Sequence, residues 1–169
     1  MINGISFLRK MYPGRDNKDY QPSGLDLRVG EVFVLDESDE MLGIYNNQKT
    51  LPNHIRYEPE IVCDEGKEIQ GWRLKPNRPY IFQVQDQIRI GDHNAQFYLP
   101  RSTLLRAGVN VYTALGDLGY NGHLSFLVIN HNYLNPFFIE KGERFAQLVD
   151  FEVQGGKEGY QGDYQEEEC

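Results

Sequence analysis

The stretch of the chain that decides its fold class is Tyr80–Ile90, which reads YIFQVQDQIRI. Apolar side chains at Tyr80, Phe82 and Val84 alternate with glutamines, and this period of two is typical of a half-buried β-strand. Short segments of similar character lie on both sides of it, at residues 25–29, 32–35, 56–62, 96–99, 110–113, 123–130, 137–139 and 145–151. About ten short strands separated by turn residues predict an all-β sandwich, barrel or jelly roll.

The two ends of the chain depart from this pattern. Ile5, Leu8 and Met11 are spaced by three, so residues 4–11 are predicted to form a short N-terminal helix. Residues 154–169 are rich in glycine and acidic residues, and they are interpreted either as a disordered acidic tail or as a glycine-hinged flap with Tyr160 as its ligand contact. We therefore expect a β domain over residues 1–153 and a flexible C-terminal tail over 154–169, with a polar loop at 36–53.

The composition limits the classes of function. The net charge of −8 argues against a nucleic-acid partner, because duplex binding needs a broad basic face. No apolar run approaches the ~20 residues of a membrane span, and no basic-then-apolar leader opens the chain, so we expect no membrane partner and a cytoplasmic protein. The two cysteines are too few for a disulfide framework, and the four histidines lack metal-ligand spacing, so no protein metal site is predicted.

The segment 100–108, PRSTLLRAG, places two arginines and two hydroxyls at the start of a predicted short internal helix. Backbone N–H groups at a helix start attract anions, and Arg106 lies one turn after Ser102 on the same face. Together with Arg101 and Thr103, these are the donors that a phosphate needs. The alternative is a capped helix with surface arginines.

The segment 117–122, DLGYNG, places a carboxylate on a glycine-rich turn beside an aromatic ring. Asp117 near a phosphate would orient and deprotonate a water molecule, and Tyr120 would lie beside a sugar or a base. The alternative is an aspartate that stabilises its own turn. With the arginine segment, this turn indicates a nucleoside triphosphate as the ligand.

Two further polar residues lie in predicted strands. Asp26 alternates with Leu25 and Leu27 and shares a face with Arg28. It is interpreted either as part of a solvated strand face or as a carboxylate that orients a site arginine or a metal-bound water. Gln147 lies in the last predicted strand, which follows the Lys141–Gly142 turn. A single glutamine in a strand is normally a solvent-exposed polar residue without a specific role.

In this order, the segments resemble the motifs of the superfamily of trimeric dUTP diphosphatases and dCTP deaminases, from about residue 20 to about residue 162. The matching residues are Asp26–Gly30; Pro100–Ser102, Leu104 and Arg106–Gly108; Asp117, Tyr120, Gly122 and Asn130; Gly142, Arg144 and Ala146–Leu148; and Tyr160–Gly162. The resemblance implies a distorted β-barrel or jelly-roll subunit of the β-clip type, a homotrimer with active sites at subunit interfaces, and Mg²⁺ carried mainly by the substrate phosphates. It implies substrate-binding roles for Arg101, Ser102, Thr103, Arg106, Tyr120, Gln147 and Tyr160.

The resemblance also separates two chemistries. The deaminases carry a proton-shuttling glutamate five residues after the second glycine of the third motif, and the matching residue here is Leu127, which cannot transfer a proton. The diphosphatases use the aspartate of that motif, which matches Asp117. The resemblance therefore implies a dUTP diphosphatase in which Asp117, with Asp26 as a second catalytic carboxylate, directs water to the α-phosphorus of dUTP.

Two alternatives remain open at this point: a dCTP deaminase, alone or combined with diphosphatase activity, and a non-catalytic nucleotide-binding homologue. The second is favoured by the tail, which has Lys157 where the diphosphatases carry an arginine.

Overall fold

The computed structural model describes residues 1–36, 41–155 and 161. The predicted N-terminal helix is confirmed as α1, Ile5–Met11, which buries Leu8. The predicted internal helix is confirmed as α2, Ser102–Arg106, which buries Leu104. A 3₁₀ turn at Asn17–Asp19 links α1 to the first strand. Neither α-helix that the structure describes has the length or apolar character of a membrane span.

The rest of the described chain is mostly β-structure. The strands in chain order are β1 Tyr20–Gln21, β2 Gly24–Leu35, β3 Gly43–Tyr45, β4 Gln48–Thr50, β5 His54–Arg56, β6 Glu60–Asp64, β7 Lys67–Leu74, β8 Pro79–Val84, β9 Ile88–Arg89, β10 Asn94–Pro100, β11 Val109–Tyr112, β12 Asn121–Gly122, β13 Ser125–Asn130, β14 Phe137–Glu140 and β15 Arg144–Glu152.

The main sheet runs in the order β10-β15-β2-β8-β13-β11, and every neighbouring pair is antiparallel. It curls into a nearly closed barrel, so the predicted all-β barrel is confirmed. Alternate side chains of its strands fill the interior, where Phe82 and Phe145 meet edge to face with ring centroids 5.4 Å apart. A smaller antiparallel sheet, β14-β7-β6, lies beside the barrel.

Two predicted strands, 25–29 and 32–35, are one continuous strand, β2. Gly30 joins them at a point where the register with β8 shifts by one residue. A Cβ atom at Gly30 would lie 2.7 Å from the Cα of Gln85, so only glycine allows this close approach of the two strands. The long strand carries Asp26 near its start and pairs with β5 and β8 near its end.

The region between β2 and β8 is where the sequence-based assignment is wrong. The predicted loop contains the hairpin β3–β4, whose turn residues Asn46 and Asn47 both have positive φ, as a two-residue hairpin requires. The predicted strand 56–62 is two strands with a break at 57–59, because Pro59 cannot donate a ladder hydrogen bond. The strand β7 was not predicted.

Candidate active site

A buried carboxylate lies between two arginines at one end of the barrel. Asp26 is 2% exposed. Its Oδ2 accepts a hydrogen bond from Arg144 Nη1 at 3.2 Å and lies 3.6 Å from Arg101 Nη1. Gln21 Nε2 donates to Oδ2 at 3.3 Å, and Gln147 Nε2 donates to Oδ1 at 3.5 Å. We call Asp26, Arg101 and Arg144 the arginine–carboxylate cluster.

Strand register brings the cluster together. Asp26 on β2 pairs directly with Gln147 on β15, and a bulge after Arg144 turns that arginine toward the carboxylate. Arg101 follows the last residue of β10, and its N–H donates to the carbonyl of Phe145, which extends the β10–β15 pairing by one step. The adjacent strands β2 and β15 therefore each contribute one charged residue, and the residue that follows β10 contributes the third.

Burial and charge act in opposite directions on Asp26. Burial raises the pKa of the Asp26 carboxyl, and Arg101 and Arg144 only partly offset this effect. Both arginine side chains are about one-quarter exposed, at 26% and 25%. The cluster carries two positive charges and one negative charge, so it has N–H groups and a net positive charge available for an anion.

Arg28 belongs to a different group of contacts. Its guanidinium forms a bidentate pair with Asp19, at 2.9 Å from Nε and 2.7 Å from Nη2, and Nη1 donates to the carbonyl of Gly142 at 2.8 Å. These bonds raise the pKa of Arg28 and fasten the 3₁₀ turn to β2. Asp26 therefore orients Arg101 and Arg144, and Arg28 is oriented by Asp19.

The short helix α2 presents the other predicted phosphate ligands to solvent. Arg101 occupies its N-cap position, and Ser102, Thr103 and Arg106 are exposed. Leu104 packs into the core and fixes which side of α2 faces outward. The predicted donors Arg101, Ser102, Thr103 and Arg106 therefore lie on one short segment beside Asp26 and Gln147.

Asp117 lies at a different place on the barrel. It is exposed and opens a turn in which the N–H of Tyr120 donates to its carbonyl at 3.2 Å. Tyr120 is buried, and its hydroxyl donates to the carbonyl of His123 at 3.2 Å. The preceding residue, Gly116, pairs in antiparallel fashion with Gln96 in the first half of β10.

The structure therefore does not bring Asp117 and the arginines together within one chain. Asp117 lies opposite the start of β10 and Arg101 follows its end, a separation of about six residues. At about 3.3 Å per residue this corresponds to roughly 20 Å. Water activation at Asp117 and phosphate binding at Arg101 in one event require either a large movement or a second copy of the chain.

The structure adds one residue to the predicted site, and part of the predicted site lies outside the described residues. Arg144, a motif residue that was not predicted to bind substrate, is the nearest cation to Asp26. The bulge that turns it inward leaves no signal in the residue pattern. Tyr160 and most of the predicted tail lie outside the described residues. Within the described ranges, no three His, Cys, Asp or Glu side chains are grouped to hold a metal ion.

The antiparallel sheet curled into a barrel, with two arginines beside a buried carboxylate at its strand ends, places the chain in the class of antiparallel β-barrel proteins. The dCTP deaminase-like family model matches residues 8–153, and the chain belongs to this family. This confirms the resemblance seen in the motifs.

Individual relatives agree with this assignment. A probable deoxyuridine 5'-triphosphate nucleotidohydrolase of Methanopyrus kandleri is 38% identical over 97% of this chain and 99% of its own length. The deoxyuridine 5'-triphosphate nucleotidohydrolase of Methanocaldococcus jannaschii is 34% identical over 97% of this chain and 98% of its own. The crystal structure of 2'-deoxycytidine 5'-triphosphate deaminase from Agrobacterium tumefaciens superposes with a TM-score of 0.64 at 18% identity, covering 88% of this chain and 47% of that one. This last likeness concerns the fold.

Proposed function

We propose that this protein hydrolyses dUTP to dUMP and pyrophosphate. The observation that carries the proposal is the near full-length similarity, at 34 to 38% identity, to archaeal proteins named as nucleotidohydrolases of deoxyuridine triphosphate. The arginine–carboxylate cluster supplies the charge that a triphosphate needs, and Asp117 supplies an exposed carboxylate.

The proposed reaction is a displacement at the α-phosphorus. Asp117 accepts a proton from water, and the water oxygen forms a bond to the α-phosphorus. The bond from that phosphorus to the oxygen bridging to the β-phosphorus breaks, and its electron pair leaves with pyrophosphate. Arg101 and Arg106, with the hydroxyls of Ser102 and Thr103, stabilise the charge that develops on the leaving group.

Three other residues would serve substrate binding in this proposal. Tyr120 would border the deoxyribose, with the uracil beside the backbone of residues 109–120. Gln147, which lies next to Asp26, would contact the substrate phosphates. Asp26 would hold Arg101 and Arg144 in position. Tyr160 would close on the nucleotide from the tail.

The active enzyme is proposed to be a homotrimer with sites shared between copies. The separation of roughly 20 Å between Asp117 and Arg101 along β10 favours this arrangement, because one copy can then supply the base and another the phosphate ligands. Phe97 and Leu99 on the outer face of β10 are 54% and 51% exposed, and an interface would cover them.

Mg²⁺ is proposed to enter with the substrate. The described residues offer no cluster of three metal-binding side chains. Phosphate oxygens are preferred Mg²⁺ ligands, so the triphosphate itself supplies them. The protein residues then contribute binding, orientation and proton transfer.

The test is a product assay with dUTP, dCTP and dTTP in the presence of Mg²⁺. We expect pyrophosphate from dUTP and no ammonia from dCTP, because β13 carries Leu127 and no acidic residue. Ammonia from dCTP would establish the deaminase alternative. Binding of dUTP without pyrophosphate release would establish the non-catalytic alternative.

The role of Asp117 is tested with Asp117→Asn. We expect kcat to fall about 10²- to 10⁴-fold while dUTP still binds, because the amide keeps the shape of the side chain and cannot accept the proton. Asp64→Asn, which changes an exposed aspartate on β6, is the matched control and should keep the parent rate. Parent-like turnover in Asp117→Asn would remove Asp117 from the mechanism.

A further inference from the structure

A row of buried polar side chains lies directly beneath the Asp117 turn. On β10, Phe97 and Leu99 face outward, whereas Gln96 and Tyr98 point into the barrel and are 0% and 3% exposed. Burying a polar group costs folding free energy unless the group is hydrogen-bonded, so the hydrogen-bond partners of Gln96 and Tyr98 determine what these side chains do. The proposed mechanism uses neither residue directly.

The segment that carries Asp117 is attached to these same two residues. The N–H of Gly116 donates to the carbonyl of Gln96 at 2.8 Å, and the N–H of Gln96 donates back at 2.9 Å. Thr113 Oγ1 donates to the carbonyl of Tyr98 at 2.7 Å. A Cβ at Gly116 would fall within 3.0 Å of the Tyr98 hydroxyl, so the backbone next to Asp117 rests on that oxygen.

The side chain of Gln96 is fixed in one orientation by Asp150. A carboxylate only accepts hydrogen bonds, so the Nε2 group of Gln96 must face Asp150, and it donates to Oδ2 at 2.9 Å. The amide oxygen Oε1 then faces Tyr98 and accepts its hydroxyl proton at 3.0 Å. Asp150 is itself held by Asn3 and Asn94, each donating to Oδ1 at 2.7 Å.

This chain of bonds fixes the position of the Tyr98 oxygen and the direction of its proton. Burial raises the pKa of Tyr98, and the nearby Tyr12, Tyr120 and Asp150, with a smaller contribution from Asp117, act in the same direction, so the hydroxyl stays protonated. The Tyr98 oxygen is therefore a stationary support for the backbone at Gly116.

We propose that Gln96 and Tyr98 are positioning residues for Asp117, with the Asp150 carboxylate as the anchor that sets their orientation. The proposal rests on the proposed function insofar as Asp117 is the base. It adds that the direction of the Asp117 carboxylate depends on a buried hydrogen-bond relay within its own chain. Small displacements of a catalytic group are costly in rate, so the relay should act on turnover rather than on substrate binding.

The test compares Tyr98→Phe with Tyr12→Phe. Tyr12 contacts the same amide, accepting from Gln96 Nε2 at 2.8 Å and donating to the carbonyl of Arg89, but none of these hydrogen bonds reaches residues 113–117. Each substitution removes one buried hydroxyl. The Tyr12 hydroxyl makes two hydrogen bonds and the Tyr98 hydroxyl makes one, so Tyr12→Phe controls for a general loss of stability at least as large as that of Tyr98→Phe.

Two readouts are needed, and one does not depend on activity. In Tyr98→Phe, amide hydrogen exchange in the peptide covering 113–117 should accelerate, and kcat for dUTP should fall about ten- to a hundredfold with KM within about twofold. In Tyr12→Phe, both quantities should stay near the parent values. Unchanged exchange and kcat in Tyr98→Phe, or equal losses in the two variants, would overturn the proposal. If the parent protein releases no pyrophosphate from dUTP, the proposed function fails, and the exchange comparison still decides whether the relay positions the turn.

Discussion

Gly116 offers a sharp test of the packing beneath the Asp117 turn. In Gly116→Ala, the new methyl group would lie within 3.0 Å of Tyr98 Oη and 2.7 Å from Ile90 Cδ1, distances that real Cβ atoms essentially never show. Neither neighbour can move aside easily, because Tyr98 and Ile90 are buried. The φ angle at Gly116 is not positive, so the expected cost comes from packing alone.

The magnitude follows from known overpacking costs. Adding a methyl group to a filled site costs about 1–3 kcal/mol, and for a chain of this length each kcal/mol lowers Tm by about 2–4 °C. Gly116→Ala should therefore lower Tm by roughly 2–12 °C in a thermal denaturation followed by circular dichroism. Gly43→Ala is the matched control: no atom lies within 4 Å of its Cβ, so its Tm should stay within about 2 °C of the parent value.

A double-mutant cycle tests whether the Tyr98 hydroxyl oxygen causes the loss of stability in Gly116→Ala. Tyr98→Phe removes the nearest oxygen, so Gly116→Ala should cost at least about 0.5 kcal/mol less in that background than in the parent. Strict additivity would show that the Tyr98 hydroxyl does not support the turn. A parent-like Tm for Gly116→Ala would refute the packing argument as a whole.

Two further predictions concern the arginine–carboxylate cluster. Burial raises the pKa of Asp26, so its stabilising contribution is complete below its unfolded pKa of about 3.9 and is lost as pH rises through the folded pKa. Asp26→Asn, followed by urea denaturation at several pH values, should therefore gain stability relative to the parent as pH rises through this range and then level off; a relative loss would contradict it. Arg101→Lys should raise KM for dUTP about tenfold, because an ammonium cannot form the bidentate contact with phosphate; an unchanged KM in steady-state kinetics would separate Arg101 from substrate binding.

The sequence predicts the barrel well because most of its strands show an alternation of apolar and polar residues that can be recognised locally. The alternation at Tyr80, Phe82 and Val84 corresponds to β8, whose side chains alternate between the barrel interior and its outer side. This alternation does not predict a strand where contacts with distant parts of the chain determine the backbone structure. Gly30 looks like a strand break, yet it allows β2 to pass close to Gln85. The strand β7 is largely exposed at its start, so it lacks the apolar pattern by which the other strands were recognised.

The candidate site shows the same limit. Asp26, Arg101 and Gln147 were identified from their motifs, and the structure places them together. Arg144 joins them through a bulge, and a bulge depends on strand register rather than on residue type. Asp117 was also identified, but its distance from the arginines depends on which part of β10 pairs with Gly116, and this pairing is not encoded in local periodicity.

The energetics of Asp26 argue for a role in binding rather than in stability. Two arginines and two glutamine amides surround the carboxyl group, and its pKa is nevertheless raised, so these contacts do not recover the cost of burying the charge. A core selected for stability alone would favour a neutral or apolar side chain here. The carboxylate does, however, hold two guanidinium groups side by side that would otherwise repel each other. An incoming triphosphate would then meet cations that are already oriented, so we expect Asp26→Asn to weaken nucleotide binding under the same conditions in which it does not destabilise the fold.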